Sequence, residues 1–157
     1  AGADPKLRTG LISDKATHLI KVASEVAVGK RDKIIIFGND YNTHDGTAIR
    51  DYIHVSDLAN IHLKALEYLT TKKHSNILNC GYGRGYSVKE VIDEINKITN
   101  NQIKYEFGNR RPGDAEVLVS NVNKLLETLN WKPKYNDLNL IIKTAIDWEK
   151  KLNAKNS

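Results

Sequence analysis

The sequence predicts one α/β domain in which helices alternate with short strands that pair mainly in parallel. Segments with apolar residues at helical spacing alternate along the 157 residues with short β-branched runs. Glycine and proline separate these segments, with no internal repeat and no long linker between them. This alternation is typical of domains whose helices cover a mainly parallel sheet, and the length favours a single domain.

Nine elements are predicted from these patterns. In chain order they are a helix over 17–28, strands over 33–37 and 52–55, a helix that begins at 56–57, a strand over 75–80, a helix that begins at 87, a strand over 102–107, a short helix capped by Asn121 and a helix over 138–152. The apolar run in 33–37 predicts a strand buried on both faces, and the alternation in 102–107 predicts a half-buried strand. Ser87 and Glu90 fit a capping box, in which two side chains satisfy free backbone donors at a helix start.

Composition and charge exclude several classes of function. The 24 Lys and Arg outnumber the 19 Asp and Glu, but 18 of these cations are Lys scattered along the chain. We therefore expect no nucleic-acid partner. The apolar runs are short, so we expect no membrane span, and we see no signal peptide. The single cysteine, Cys80, excludes an internal disulfide and suits a reducing compartment, so we expect a cytoplasmic protein.

Two segments resemble ligand loops only loosely. The turn 81–85 has three glycines between a predicted strand and a predicted helix, which is where a phosphate loop would lie. A structural turn is the favoured interpretation, because Tyr86 stands where the dinucleotide pattern needs its third glycine. The loop 40–46 lacks the closing Glu of a calcium loop, and the five His do not pair at ligand spacing. We therefore predict no metal site.

Two arginine-bearing turns indicate an anionic ligand. The segment 110–114 reads Arg-Arg-Pro-Gly-Asp, and adjacent guanidiniums repel each other unless an anion neutralises them. The residues alone leave two interpretations open, an anion site or a surface ion pair between Arg110 and Asp114. The second turn places Arg50 at the entrance of a predicted strand. Together the two turns predict a ligand with at least two negative charges, such as a diphosphate.

These motifs and their order resemble the C-terminal portion of the UDP-glucose 4-epimerases, also called UDP-galactose 4-epimerases, in the extended short-chain dehydrogenase/reductase family. The resemblance covers essentially the whole chain, and its most specific block is 36–55. The other matching segments are 1–5, 17–20, 26–31, 79–85, 110–114 and 131–133. Lys21 is a departure, because many members of the family have Pro there.

The resemblance implies a division of tasks between two domains. In this family an N-terminal Rossmann domain holds NAD and supplies a Tyr-x-x-x-Lys motif, while a C-terminal lobe holds the UDP-sugar. NAD takes hydride from C4 of the sugar and returns it to the other face. We expect residues 1–157 to be the UDP-sugar-binding portion, without NAD, the Tyr-Lys motif or any catalytic residue, and inactive alone. The full-length enzyme is expected to be a homodimer.

The resemblance also implies roles for individual residues. Seven positions match the family's UDP-sugar contacts: Leu19, Ile35, Phe37, Arg50, Arg111, Asp114 and Leu118. Arg50 and Arg111 are expected to hold the diphosphate, and Asp114 is expected to accept hydrogen bonds from the ribose hydroxyls.

The remaining positions concern the base and the hexose. Phe37 is expected to contact uracil, together with the backbone of Leu19 and Ile35. Leu118 stands where the family has a residue beside the hexose that influences tolerance of N-acetylated sugars. Leucine is intermediate in size at this position, so both classes of hexose stay open.

An incomplete surface follows from the same resemblance. In such enzymes the helix that begins at 56–57 and the strand around 77–79 pack against the Rossmann sheet. We therefore expect five residues to lack part of their cover in this chain: Leu58, Leu66, Leu69, Ile77 and Leu78. Because the chain starts at Ala1 and has no methionine, we expect a part of a longer protein. The alternative is a non-catalytic remnant or split-gene fragment that binds nucleotide sugar weakly or not at all.

Overall fold

The computed structural model describes residues 1–13 and 15–156 and confirms the predicted α/β class. The helices within these residues are α1 (Leu19–Ala27), α2 (Val55–Lys72), α3 (Val88–Thr99), α4 (Asn123–Leu129) and α5 (Leu138–Asn156). The strands are β1 (Ile34–Phe37), β2 (Ile49–Arg50), β3 (Tyr86–Ser87), β4 (Tyr105–Gly108) and β5 (Val117–Leu118). No helix in this part of the chain is long and apolar enough to cross a membrane.

The strands form two small sheets. β1 and β4 pair in parallel, in a register that places Ile34 opposite Tyr105. In the second sheet β2 lies between β3 and β5, antiparallel to β3 and parallel to β5. Two of these three pairings are parallel, as the sequence predicts. The central position of β2 holds the backbone of Arg50 between two neighbouring strands.

The main core lies where α1, α3 and α5 pack together with one face of β1. Its buried residues include Ala23, Ile36, Ile92, Ile95, Ile142 and Ile146. The predicted capping box is confirmed at the start of α3, where Ser87 Oγ accepts from the Glu90 N–H at 3.0 Å and Glu90 Oε2 accepts from the Ser87 N–H at 2.7 Å. A second, smaller core between α2 and α4 contains Ile61, Leu125, Leu129 and Trp131.

Two predicted strands are wrong. Residues 52–54 form no ladder in the described structure, and α2 begins at Val55 because His54 Nδ1 accepts from the Ser56 N–H at 3.1 Å and caps the helix. The segment 75–80 is irregular, and Ile77 is 86% exposed. A short apolar segment becomes a strand only where a neighbouring strand satisfies its backbone groups, and the described residues offer none to this segment.

The burial of the first sheet also differs from the prediction. Ile34 and Ile36 face the core, but Ile35 and Phe37 remain 45% and 38% exposed because their face opens onto a cavity. β4 begins at Tyr105 rather than at residue 102, and its aromatic side chains are exposed.

Smaller differences concern element ends. The predicted cap of α4 is wrong by one position: α4 begins at Asn123 and Val122 is its N-cap residue, although Asn121 Oδ1 accepts from the Asn123 N–H at 3.2 Å. α5 extends to Asn156. The two-residue strands β2, β3 and β5 were not predicted, because they are too short to show a periodic pattern.

The incomplete surface that we expected is confirmed. Among the five residues concerned, Leu66, Leu69 and Ile77 are exposed, and Leu58 and Leu78 are half-buried. Within the described residues, α2 thus has apolar cover on the side that meets the smaller core, where Ile61 is buried and Ala65 and Tyr68 are partly buried.

Candidate functional site

A cavity of about 1000 Å³ lies between α1, β1, β2 and the segment 110–114. Six of the seven predicted site residues line it: Leu19, Ile35, Phe37, Arg50, Arg111 and Asp114. The seventh, Leu118, is not in the lining, but it is the β-ladder partner of Arg50 and is 63% exposed. The structure therefore brings six of these residues to one cavity and places the seventh beside it.

The apolar wall of the cavity follows from the pleat of β1. Successive side chains of a strand point to opposite faces, so Ile35 and Phe37 face the cavity while Ile34 and Ile36 are buried in the core. Leu19, the first residue of α1, continues this apolar wall.

The charged wall contains Arg50 on β2. Its Nη1 donates to the backbone carbonyl of Ile49 at 2.7 Å, and its Nη2 donates to Asp114 Oδ1 at 2.5 Å. The side chain is about three-quarters buried, with 22% of its surface exposed. Its guanidinium is therefore fixed by the sheet on one side and by a carboxylate on the other.

Arg111 reaches the same carboxylate through a tight turn. The Asp114 N–H donates to the Arg111 carbonyl at 3.2 Å, and Gly113 adopts a φ of 78°, which glycine accepts without strain. Arg111 Nη2 donates to Asp114 Oδ2 at 3.2 Å, and its guanidinium lies 4.6 Å from the centre of the Phe37 ring. Two guanidiniums and one carboxylate thus meet at the cavity, with a net charge of one positive unit among them.

The neighbouring Arg110 points elsewhere. Its Nε donates to Asp40 Oδ1 at 2.6 Å, and its guanidinium stacks over the Tyr41 ring at 4.1 Å. The surface ion pair between Arg110 and Asp114, which the sequence left open, does not form, because Asp114 bonds Arg50 and Arg111 instead. Of the adjacent arginines, Arg111 is the one that lines the cavity.

The glycine turn 81–85 is a structural turn. The N–H groups of Tyr82 and Gly83 both donate to the Asp51 carboxylate at 3.0 Å. The donors of α3 are likewise engaged by its capping box. Because these backbone donors already have partners, the turn does not fit the diphosphate of NAD, and we assign no NAD contact and no step of hydride chemistry to it.

The expectation that this chain contains no Tyr-x-x-x-Lys spacing is wrong, because one such spacing occurs on α2. Tyr68 and Lys72 are four residues apart. Tyr68 packs against the smaller core, Lys72 is exposed at the helix end, and neither lines the large cavity. The pair therefore belongs to the helix surface and has no access to a ligand held by Arg50 and Arg111.

A buried charge network at the far end of the cavity escaped the sequence patterns. Lys21 Nζ lies 2.5 Å from Glu149 Oε1 and 3.0 Å from Glu25 Oε1, and Lys30 Nζ lies 2.9 Å from Glu149 Oε2. Burial acts to lower the pKa of Lys21, but its hydrogen bonds to Glu149 and Glu25 outweigh burial and raise the pKa. The network joins α1 to α5 and fixes the helix that supplies Leu19.

The loop 40–46, which resembles a calcium loop only loosely, uses its Asp45 carboxylate for contacts within the protein. Asp45 Oδ1 accepts from the Thr47 N–H at 2.9 Å, and its other oxygen bonds the Ser87 hydroxyl. Within 1–13 and 15–156 no group of three or more His, Cys, Asp or Glu is arranged to hold a metal ion. The loop's carboxylate thus serves to join it to the start of α3.

Comparison with known proteins defines the class of this fold and site. Residues 12–144 match the family model described as GDP-mannose 4,6 dehydratase, and the chain belongs to this family. Its resemblance to the C-terminal portion of UDP-glucose 4-epimerases is also confirmed. A UDP-glucose 4-epimerase from Azospirillum brasilense is 49% identical over 152 residues, which are 97% of this chain and 44% of the relative.

Two solved structures share the fold. The UDP-Glc/GlcNAc 4-epimerase from Campylobacter jejuni is 53% identical, with a TM-score of 0.78 over 94% of this chain and 44% of that one. The UDP-glucose 4-epimerase from Stenotrophomonas maltophila, with bound NAD and formylated UDP-arabinopyranose, is 34% identical, with a TM-score of 0.93 over 98% of this chain and 46% of that one. The chain therefore spans less than half the length of these relatives.

Proposed function

We propose that this chain is the UDP-sugar-binding part of a UDP-glucose 4-epimerase, an isomerase that interconverts UDP-glucose and UDP-galactose with the help of NAD. The observation that supports this most is the meeting of Arg50 and Arg111 at one cavity, beside the apolar face of β1. A nucleoside diphosphate has two matching parts, a flat ring whose faces pack against apolar and aromatic side chains and a diphosphate that carries at least two negative charges.

Each wall of the cavity then has a role in this proposal. Arg50 and Arg111 hold the diphosphate, because a guanidinium offers paired donors to phosphate oxygens. Phe37 and the backbone of Leu19 and Ile35 contact the uracil.

The other two residues would reach the sugars. Asp114 accepts from the ribose hydroxyls, and Leu118 lies near the hexose, where its exposed side chain meets the ring substituents. One of the similar structures carries the name UDP-Glc/GlcNAc 4-epimerase, so N-acetylated UDP-hexoses belong among the substrates to be tested.

The proposal assigns the remaining tasks to residues outside this chain. NAD and the catalytic tyrosine belong to an N-terminal half, and this chain alone is inactive. The exposed apolar side of α2 and the segment around Ile77 support such a partner, because they lack cover within the described residues. The whole enzyme is a cytoplasmic homodimer in this proposal.

A calorimetric titration tests the binding part of the proposal. UDP, UDP-glucose and uridine are titrated into the 157-residue chain. We expect UDP and UDP-glucose to bind measurably more tightly than uridine, because only they offer phosphate oxygens to the arginines. Equal affinity for uridine and UDP, or no binding of UDP, would contradict the proposal.

An activity measurement tests the enzymatic part. The chain is joined to the complementary N-terminal part of the Campylobacter jejuni enzyme, which is 53% identical over the shared region. We expect the chimera to interconvert UDP-glucose and UDP-galactose, and the chain alone to be inactive. A folded chimera without activity would instead support the non-catalytic remnant, and the coding sequence upstream of Ala1 provides an independent check.

A further inference from the structure

Asp114 places one carboxylate oxygen on each of the two cavity arginines. Its Oδ1 lies 2.5 Å from Arg50 Nη2, and its Oδ2 lies 3.2 Å from Arg111 Nη2. All three side chains line the cavity. A phosphate group offers the same arrangement, since it presents separate oxygens to neighbouring guanidiniums. The carboxylate therefore occupies the Nη2 donor of each arginine and the space between the two guanidiniums, where an anionic ligand would bind.

The backbone holds both Arg50 and Asp114 in place. Arg50 lies on the central strand of its sheet and is also tied to the Ile49 carbonyl at 2.7 Å. Asp114 is positioned by the turn in which its N–H donates to Arg111. The side chains of Asp114 and Arg50 are 21% and 22% exposed, so water screens their pair less than a surface ion pair, whereas Arg111 is 55% exposed.

We propose that Asp114 is an internal competitor for the anion that this cavity binds, and that a diphosphate binds by displacing it from Arg50 and Arg111. This inference rests on the proposed function, because it takes a diphosphate as the ligand. Two guanidiniums face one carboxylate before displacement, and they face two phosphate charges after it. The exchange is favourable for the arginines, but it leaves the Asp114 carboxylate without its partners.

The displaced carboxylate makes the site selective for one class of diphosphate. An ionised side chain that loses its partners in a half-buried place costs free energy unless new donors replace them. Ribose hydroxyls adjacent to the diphosphate are such donors, whereas inorganic pyrophosphate offers none in its fully ionised form. The site is therefore expected to favour nucleoside diphosphates over pyrophosphate by more than the base contacts alone provide.

The test compares pyrophosphate and UDP binding by Asp114→Asn and by the unchanged chain. The asparagine amide is nearly the same size as the carboxylate but carries no charge. Pyrophosphate therefore no longer competes with a carboxylate for Arg50 and Arg111. We expect pyrophosphate affinity to rise about tenfold, the scale of a hydrogen bond to a charged group. UDP affinity is expected to rise much less or to fall, because the same substitution removes the acceptor for its hydroxyls.

A matched control separates this effect from the change in net charge. Asp40→Asn removes one negative charge from a carboxylate that also pairs with an arginine, Arg110 at 2.6 Å, but is 70% exposed and does not line the cavity. We expect it to leave pyrophosphate affinity unchanged. An equal rise in both variants, or no rise in Asp114→Asn, would overturn the inference.

Thermal unfolding of each variant checks that it folds, and Asp114→Ser serves as a second neutral variant. UDP binding by the unchanged chain keeps the two proposals apart. If UDP binds but neither Asp114 variant gains pyrophosphate affinity, the internal competitor is wrong and the proposed function stands. If UDP does not bind but both Asp114 variants gain pyrophosphate affinity, the competitor stands and the proposed function fails.

Discussion

The two longest helices of the described chain have similar lengths but very different surroundings. α5 has 19 residues and α2 has 18. On α5, the residues Ile141, Ile142, Ile146 and Glu149 are almost completely buried. On α2, only Asp57 and Ile61 are buried, while Leu63, Leu66 and Leu69 are about half exposed.

This contrast shows what an apolar pattern does and does not determine. Helical spacing places apolar side chains on one face, but it does not say what covers that face. α1 and α3 cover α5, whereas α2 packs mainly against the short α4 and a few neighbouring residues of the described chain. Under our proposal the remaining face of α2 is covered by the rest of a longer protein, in line with the chain's 44% share of its relative.

The buried charges of α5 give the largest expected difference between the helices. Glu149→Ala removes the carboxylate that Lys21 and Lys30 share and leaves Glu25 as the partner of Lys21, so the loss is expected to reach at most the cost of breaking a buried pair, about 3–5 kcal/mol. The control is Glu67→Ala on α2, whose partner Lys64 lies 2.8 Å away on an exposed surface, where a pair is worth about 0–1 kcal/mol. Urea titrations give the free energy of unfolding of both variants. A similar loss of stability in Glu149→Ala and Glu67→Ala would contradict the difference between the two helices.

The apolar faces give the next largest difference. Ile142→Ala removes a fully buried side chain of α5 and is expected to cost about 2–5 kcal/mol. Leu66→Ala on α2, where the side chain is 58% exposed, is expected to change stability by less than about 0.5 kcal/mol in the same titration. In the chimera with an N-terminal half, Leu66→Ala should become clearly destabilising. An equal cost with and without that half would show that α2 has no partner there.

The junction between the helices gives a smaller, pH-dependent effect. His54 is fully buried; its Nδ1 caps α2, and its Nε2 lies 3.2 Å from Thr144 Oγ1 on α5. Burial lowers the pKa of His54, so the unfolded chain takes up this proton first as the pH falls. The contribution of His54 to stability is therefore complete above the ordinary histidine pKa of about 6.5 and is lost as the pH falls below it.

Unfolding free energies measured at several pH values from 7.5 to 5 test this link. The unchanged chain should lose stability toward pH 5, and His54→Gln should show a flatter profile. His62→Gln, at an exposed position on α2, is the matched control and should keep the original slope. If the unfolding free energy changes with pH equally in all three chains, His54 does not cause the pH dependence.

Local signals were the part of the fold that the sequence predicted well. The capping box of Ser87 and Glu90 and the turn between Arg111 and Asp114 involve residues three positions apart, so neighbouring residues suffice to determine them. The irregular segment 75–80 was wrongly predicted for the opposite reason. A strand there needs a neighbouring strand to satisfy its backbone groups, and the described residues do not supply one.

Long-range charge pairs were beyond the reach of the sequence patterns. Arg110 meets Asp40 across 70 positions, and Lys21 meets Glu149 across 128 positions. The residues of the candidate site were named through the resemblance, and no periodicity connects Phe37 on β1 with Arg50 on β2. Their convergence depends on how two separate sheets pack around one cavity.

UDP binding by two adjacent arginine variants tests the central claim most directly. Arg111 lines the cavity and donates to Asp114, whereas Arg110 donates to Asp40, and neither Arg110 nor Asp40 lines the cavity. The two arginines therefore have the same chemistry but different positions. We expect Arg111→Ala to weaken UDP binding by about 1.5–3 kcal/mol and Arg110→Ala to leave it unchanged. Unchanged affinity in Arg111→Ala, or an equal loss in both variants, would contradict the claim that this cavity holds the diphosphate.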